Sequence, residues 1–245
     1  MTQLIAPAKL TRYLEVTGRR DDGHHLIRSE MVSVALYDRL ELDESADYLR
    51  VIGPDTVPLD GTNLISRALE LVGRRAGVTL DKRIPTGGGL GGGSSDAGAI
   101  LRWAGGVDAE VAVRLGGDVP FCQVGGRAIV EGIGETVTPL DFEERVFTLL
   151  LADFAVSTAS VYASYDELVA EGERPEGVNH LEVPARRVEP RLGRLLDWAR
   201  ARYGDVQVAG SGSTLFVEGH VFDTPDGSVT GPDGPVKWYQ TVATR

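Results

Sequence analysis

At 245 residues, with 42% hydrophobic and 25% charged residues, the chain fits one large or two small domains of an ordinary globular protein. A formal charge of -11 argues against nucleic acid and anionic membrane surfaces as partners, but not against an anionic small substrate, because a local field can oppose the net charge. The lone cysteine, Cys122, excludes an internal disulfide. No apolar run reaches membrane-spanning length, and no basic stretch leads into an apolar one at the start, so the expectation is a cytoplasmic protein.

In chain order, Leu4–Leu14 and Leu26–Leu36 read as strands around a polar turn from Thr17 to Gly23, and Arg39–Leu42 and Tyr48–Ile52 as a further strand pair. Leu64, Ala68, Leu71 and Val72 recur at helical spacing and predict a helix over Thr62–Ala76, with Asn63 near its start. Val78–Ile84 is a strand leading into a glycine-rich stretch, and Ser95–Ala104 a helix after it. Asp108–Leu115 is a short helix, Gly116–Pro120 a turn, and Ala128–Glu131 and Val146–Leu151 are strands. Beyond a boundary placed between residues 145 and 146 come helices over Ser160–Glu171 and Pro190–Tyr203. A strand at Val206–Val208, a small-residue turn at Ala209–Thr214 and a strand at Leu215–Glu218 follow. The tail carries two Pro-Asp-Gly turns between short strand-like pieces. The pattern is α+β, with an N-terminal lobe over 1–145 and a C-terminal lobe over 146–245.

The stretch Pro85-Thr86-Gly87-Gly88-Gly89-Leu90-Gly91-Gly92-Gly93-Ser94-Ser95-Asp96 is half glycine. Glycine loses more backbone entropy on ordering than any other residue. Such a run makes sense where a backbone approaches a ligand closely and offers its N–H groups. A helix follows, and a helix N-terminus favours anions, so the expected ligand is the phosphate chain of a nucleotide. The loop lacks the Gly-Lys-Ser/Thr ending of a Walker A loop. Gly87, Gly89 and Gly92 satisfy G-x-G-x-x-G, but so many glycines make that match almost automatic, and Asp108 is badly spaced for a ribose contact. A flexible glycine linker is the plain alternative, opposed by the proline at one end and the helix start at the other.

Phosphoryl transfer needs positioning and charge neutralisation more than covalent chemistry. The loop supplies N–H groups, and Ser94 and Ser95 supply hydroxyls that reach phosphate or cap the helix. Lys9, one of only three lysines, is a compact cation in an apolar segment, or else a solvated lysine at a strand edge. Asp118, between two glycines and Val-Pro, is presented to a cleft or merely caps a turn. His24 and His25 follow Asp21-Asp22-Gly23 and also read as ordinary turn residues.

Taken together, four blocks resemble the superfamily of galactokinase, homoserine kinase, mevalonate kinase and phosphomevalonate kinase, and within it the 4-diphosphocytidyl-2-C-methyl-D-erythritol kinase family. The blocks are Ala6–Leu10 with Val16–His25, then Pro85–Ser95, then Leu115–Phe121 with Glu131–Glu135, and Ala209–Ser213. The resemblance implies two lobes, the first like the second domain of ribosomal protein S5 and the second ferredoxin-like. It implies ATP with Mg2+, no assigned metal ligand, and phosphorylation of the 2-hydroxyl of the cytidyl substrate. ATP would lie on Pro85, Gly87, Gly88, Gly89, Leu90, Gly91, Gly92, Gly93, Ser94 and Ser95, with Asn63 near the adenosine. Asp118 and Lys9 would be catalytic, with Lys9, His24, His25, Asp118 and Tyr162 contacting substrate. Thr11 stands where the family usually has Asn, His24 where it has another aromatic, and Asp96 where the loop usually ends in Asn, while the helix after the fourth block is replaced by turns and strands. Two other readings stay open: a divergent relative, acting on another small alcohol or binding a metabolite without catalysis, and a dinucleotide-dependent oxidoreductase.

Overall fold

β1 (Thr2–Arg19) and β2 (His25–Asp43) run antiparallel from Thr2 opposite Leu42 to Arg19 opposite His25, so both strands extend well past their expected ends. The structure is a computed structural model and describes residues 1–53 and 57–245. β1 slips register between Pro7 and Ala8 and again between Thr11 and Tyr13. Pro7 has no N–H to give the ladder, and a bulge re-aims the side chains that follow it. Ala8 and Leu10 enter the apolar core, while Lys9 and Thr11 are buried along a cleft.

The expected pairing of Arg39–Leu42 with Tyr48–Ile52 is wrong. β4 (Gly77–Asp81) lies between β2 and β3 (Tyr48–Ile52), antiparallel to β2 and parallel to β3. α1 (Leu64–Leu71) intervenes in the chain and is the crossover that makes the parallel pairing possible. α1 is shorter than expected and ends at Val72, ahead of Gly73 at φ 63°. α2 (Gly92–Trp103) follows the glycine stretch, and α3 (Ala109–Ala112) is a single turn. A helix that the sequence did not suggest, α4 (Val119–Val124), begins straight after Asp118, with Pro120 in its first turn, where proline is tolerated. β5 (Arg127–Gly132) pairs with β2, and β6 (Thr136–Pro139) with β5. The helices α1 and α2 cover the sheet through Ile65, Ala68, Ala97, Ile100 and Leu101, packed on Leu40, Val78 and Leu80.

The second lobe contains β7 (Val146–Leu151), α5 (Thr158–Ala170), α6 (Glu182–Val188), α7 (Pro190–Tyr203), β8 (Gln207–Val208), β9 (Leu215–Glu218), β10 (Asp226–Thr230) and β11 (Pro235–Thr244). α6 was not legible beforehand. The strand order is β11-β7-β9-β8, which fits a ferredoxin-like unit. The second crossover helix of that unit is missing: residues 219–234 make turns and β10, which pairs with β11. β11 also reaches the first lobe, where Ala243 and Thr244 pair with Val34 and Ser33. One sheet of 11 strands therefore runs through both lobes. Leu10, Val34, Phe147, Leu149, Phe216 and Ala243 share one apolar cluster across the junction.

A ring of alternating charge crosses the same junction. Arg12 meets Glu30 at 2.5 Å and Glu218 at 3.5 Å, Arg127 meets Glu30 at 2.9 Å and Glu143, and Arg145 meets Glu143 and, at 2.6 Å, Glu218. Three arginines and three glutamates thus close a circuit from β1, β2 and β5 to the segment just ahead of β7 and to β9.

Candidate active site

Lys9 Nζ lies 3.2 Å from Asp118 Oδ2 and donates to Thr11 Oγ1 at 3.1 Å. The Lys9 N–H leaves the ladder and donates to Leu90 O at 3.0 Å, so the bulged strand is tied to the glycine loop. Asp118 is the residue before α4, and its carbonyl accepts from Cys122 N at 2.9 Å. The turn after β5 abuts it: a Cβ on Gly117 would stand 2.7 Å from Ile133 O. This close approach explains why the Gly-Gly-Asp and Gly-Ile-Gly-Glu stretches belong together. The Asp118 side chain is 31% exposed while that of Lys9 is 7% exposed, so the carboxylate faces solvent and the ammonium lies behind it.

The glycine stretch ends differently from expectation. α2 starts at Gly92, so Gly92, Gly93, Ser94 and Ser95 are helical, and Gly91, at φ 66° and ψ 26°, is the cap in place of either serine. A Cβ on Gly91 would lie 2.7 Å from Lys9 Cγ, so packing as well as backbone conformation requires glycine there. Ser95 Oγ donates inward to Pro7 O at 2.6 Å, whereas Ser94 lines the cleft. On the far wall, Thr214 N donates to Gly88 O at 3.1 Å, joining the loop to the small-residue turn 209–214. Asn179 holds that turn by donating to Val208 O and Gly210 O. Thr158 Oγ1 and Ser211 Oγ are 2.8 Å apart at its edge.

These segments enclose a cleft of about 310 Å³ lined by Pro85–Ser94, Lys9, Thr11, Asp118 and Tyr162. A second cleft of about 600 Å³ adjoins it and shares Ile27, Ser94, Asp118, Thr158 and Tyr162. His25 stacks on Tyr162 at 4.6 Å between ring centroids, meets Tyr165 edge-on, and donates from Nε2 to Asp166 Oδ1 at 2.7 Å. Arg19 Nη1 lies 3.2 Å from the other oxygen of Asp166. Burial pushes the Tyr162 hydroxyl up from its ordinary value, so it stays protonated. His24 lines the second cleft but is 65% exposed beside Asp22. Asn63 is the α1 cap: Oδ1 accepts from Ile65 N and Nδ2 donates to Pro58 O, so both ends of its amide hold backbone.

Sequence reasoning missed Asp166, Tyr165 and Arg19, whose connection to His25 depends on α5 crossing the tip of the β1–β2 hairpin. It also missed what lies under the loop. Asp96 is 3% exposed and points away from the cleft, with Oδ2 3.1 Å from Lys82 Nζ. Lys82 also meets Asp38, which accepts from Arg83 N and Ile84 N at 2.6 and 2.8 Å.

Among the described residues no group of three or more His, Cys, Asp or Glu is placed to hold a metal ion. The cleft carboxylate, Asp118, is engaged by Lys9. The described residues offer no protein cage for Mg2+, which would here be held with a bound nucleotide.

The GHMP kinases N terminal domain matches residues 63–126, which hold the glycine loop and Asp118. The 4-diphosphocytidyl-2-C-methyl-D-erythritol kinase of Nitrosomonas eutropha is 34% identical over 89% of this chain and 88% of its own length. That of Methylibium petroleiphilum is 33% identical over 90% and 85%. The chain belongs to this kinase family. A crystal structure of 4-(cytidine 5'-diphospho)-2C-methyl-D-erythritol kinase is 32% identical, covers 100% of both chains and gives a TM-score of 0.72. The Methanococcus jannaschii mevalonate kinase, 13% identical with a TM-score of 0.57 over 100% of this chain and 98% of that one, shares the fold. The protein is thus an ATP-dependent kinase of two-lobed GHMP fold, and the oxidoreductase reading falls away. No described helix is long and apolar enough to cross a membrane.

Proposed function

We propose that the chain transfers the terminal phosphoryl group of ATP to the 2-hydroxyl of 4-diphosphocytidyl-2-C-methyl-D-erythritol. The observation that carries this reading is the contact between Lys9 and Asp118 at the place where the two clefts meet. ATP supplies the phosphoryl group from the glycine-loop cleft, and Mg2+ bound with it would offset the charge of its phosphates. The N–H groups and helix start at Gly91–Ser95 favour the anion, with Leu90 and Pro85 shaping the wall and Asn63 bracing the adenosine side through its cap.

In the second cleft, the stack of His25 on Tyr162 receives the pyrimidine, with His24 at the rim. The 2-hydroxyl then faces Asp118. Asp118 accepts its proton as the oxygen–phosphorus bond forms and the bond to the departing ADP breaks. Lys9 orients Asp118, and its ammonium stabilises charge on the transferring group. Thr11, in place of an amide side chain, takes one lysine hydrogen and leaves the others for Asp118 and phosphate. The reaction is placed in the cytoplasm, in isoprenoid precursor synthesis, with residues 1–145 and 146–245 as the two lobes and no nucleic-acid or membrane partner.

A coupled ADP-release assay with the cytidyl substrate, mevalonate, homoserine and a sugar tests the assignment. Turnover confined to the cytidyl substrate is expected. Good turnover with another alcohol and none with this one would overturn the substrate while leaving the kinase.

A further inference from the structure

The glycine loop is flanked by two lysines on opposite sides. A Cβ on Gly91 would strike Lys9 Cγ, and a Cβ on Gly92 would lie 2.7 Å from Lys82 Nζ. Lys9 borders the open cleft. Lys82 is 1% exposed and lines neither cleft. Its partners sit at the two ends of the loop. Asp38, on β2, fixes the entry through Arg83 N and Ile84 N, and Asp96, on α2, fixes the exit. Lys82 joins the two carboxylates and so closes a clasp beneath residues 85–91.

The charge of this clasp does not balance. One ammonium faces two carboxylates, all buried, and Asp96 Oδ1 has no hydrogen-bond partner among the described residues. Asp38 is fully bonded, so the surplus negative charge resides on Asp96. Other charged groups around α2 do not offset it. Lys9 of β1 is paired with Asp118 ahead of α4, while Arg67 and Glu70 of α1 reach toward the surface. Arg102, further along α2, donates to Cys122 O and Ile5 O.

We propose that Lys82, clamped between Asp38 and Asp96, is the positioning residue of the nucleotide loop, and that the charge on Asp96 sets how tightly that loop holds phosphate. With Asp96 protonated the clasp is neutral. With Asp96 ionised it places a net negative charge under an anion site, in a region where water screens little. Burial raises the Asp96 carboxyl to about 7 in spite of Lys82, so the change falls near neutral pH. Lys82 remains charged throughout: burial alone would lower it, but Asp96 and Asp38 hold it above its ordinary value. The idea rests on the nucleotide reading of the loop.

The test measures ATP binding by calorimetry and KM for ATP from pH 6 to 8.5, in the wild type and in Asp96→Asn. The ratio of the two proteins removes the titration of ATP itself. That ratio should rise about three- to tenfold with pH, the wild type weakening, while kcat moves little. A ratio flat in pH overturns the clasp and leaves the nucleotide site standing, whereas absence of ATP binding by the wild type overturns the nucleotide reading itself. If Asp96→Asn does not fold, the carboxyl carbon resonance of Asp96 in the wild type decides. Saturating ADP should move its titration midpoint upward by linkage, and an unmoved midpoint refutes the proposal.

Discussion

Lys9 Nζ and Asp118 Oδ2 meet at 3.2 Å although one belongs to a bulged strand and the other to the start of a helix. Their contact gives the carboxylate a fixed direction at the junction of two clefts. Asp118→Asn keeps the shape and removes the base, so kcat should fall by about 10²–10⁴-fold with ATP binding retained. Lys9→Met should lower kcat as well. Steady-state ADP release with parallel calorimetry checks both, and full activity in Asp118→Asn would remove this residue from the chemistry.

His25 is held by Tyr162 on its face, Tyr165 on its edge and Asp166 on Nε2. Stacking of this kind is worth about 1 kcal/mol beyond area. His25→Ala should therefore raise KM for the cytidyl substrate by roughly fivefold, with KM for ATP unchanged. Asp166→Asn should do the same more weakly, because it loosens the ring without removing it. An equal rise in both KM values would mean a general disturbance of the cleft.

The six-residue ring of Arg12, Glu30, Arg127, Glu143, Arg145 and Glu218 lies partly in solvent, so salt should weaken it. Glu218→Gln should lower Tm more in 20 mM than in 500 mM NaCl, figures meant as about a tenth and a few times the physiological ionic strength. The Glu143 carboxyl is held below the usual carboxylate range, chiefly by the hydrogen bond from Arg145. Its contribution is present above the ordinary carboxylate value and disappears as pH falls through the lowered one. Melting curves of wild type and Glu143→Gln should therefore converge in acid, and a constant gap would deny the ring any electrostatic role.

Asp96 has the opposite sign. Its folded value of about 7 lies above the ordinary 3.8, so its stabilising effect is complete in acid and is lost as pH climbs through 7. Asp96→Asn should melt above the wild type at pH 8, with the gap closing toward acid. A gap independent of pH would place the cause outside titration.

The glycine stretch, Lys9 and Asp118 were legible in the sequence because their neighbours restrict them: a proline two residues before Lys9, and a glycine pair before Asp118 with Val-Pro after it. The start of α2 was not. Local preference says that Gly92 and Gly93 resist a helix, yet Lys82 and Ile84 leave no room for a side chain at Gly92, and the packing decides. The β3–β4 pairing was hidden because strands close in sequence suggest a hairpin, and only the α1 crossover makes them parallel. The direction of Asp96 was not legible, because its partners, Lys82 and Asp38, come from two other segments. The His25–Asp166 contact was invisible for the same reason.

β11 pairs with β7 along its length and with β2 at its end. It leaves the ribosome after every other strand of the described sheet. Until it arrives, β7 and the middle of β2 present open edges, each able to pair with the wrong neighbour. Completion of the sheet is thus deferred until β11 is made, when a single ten-residue strand both closes the second lobe and sets its register against the first.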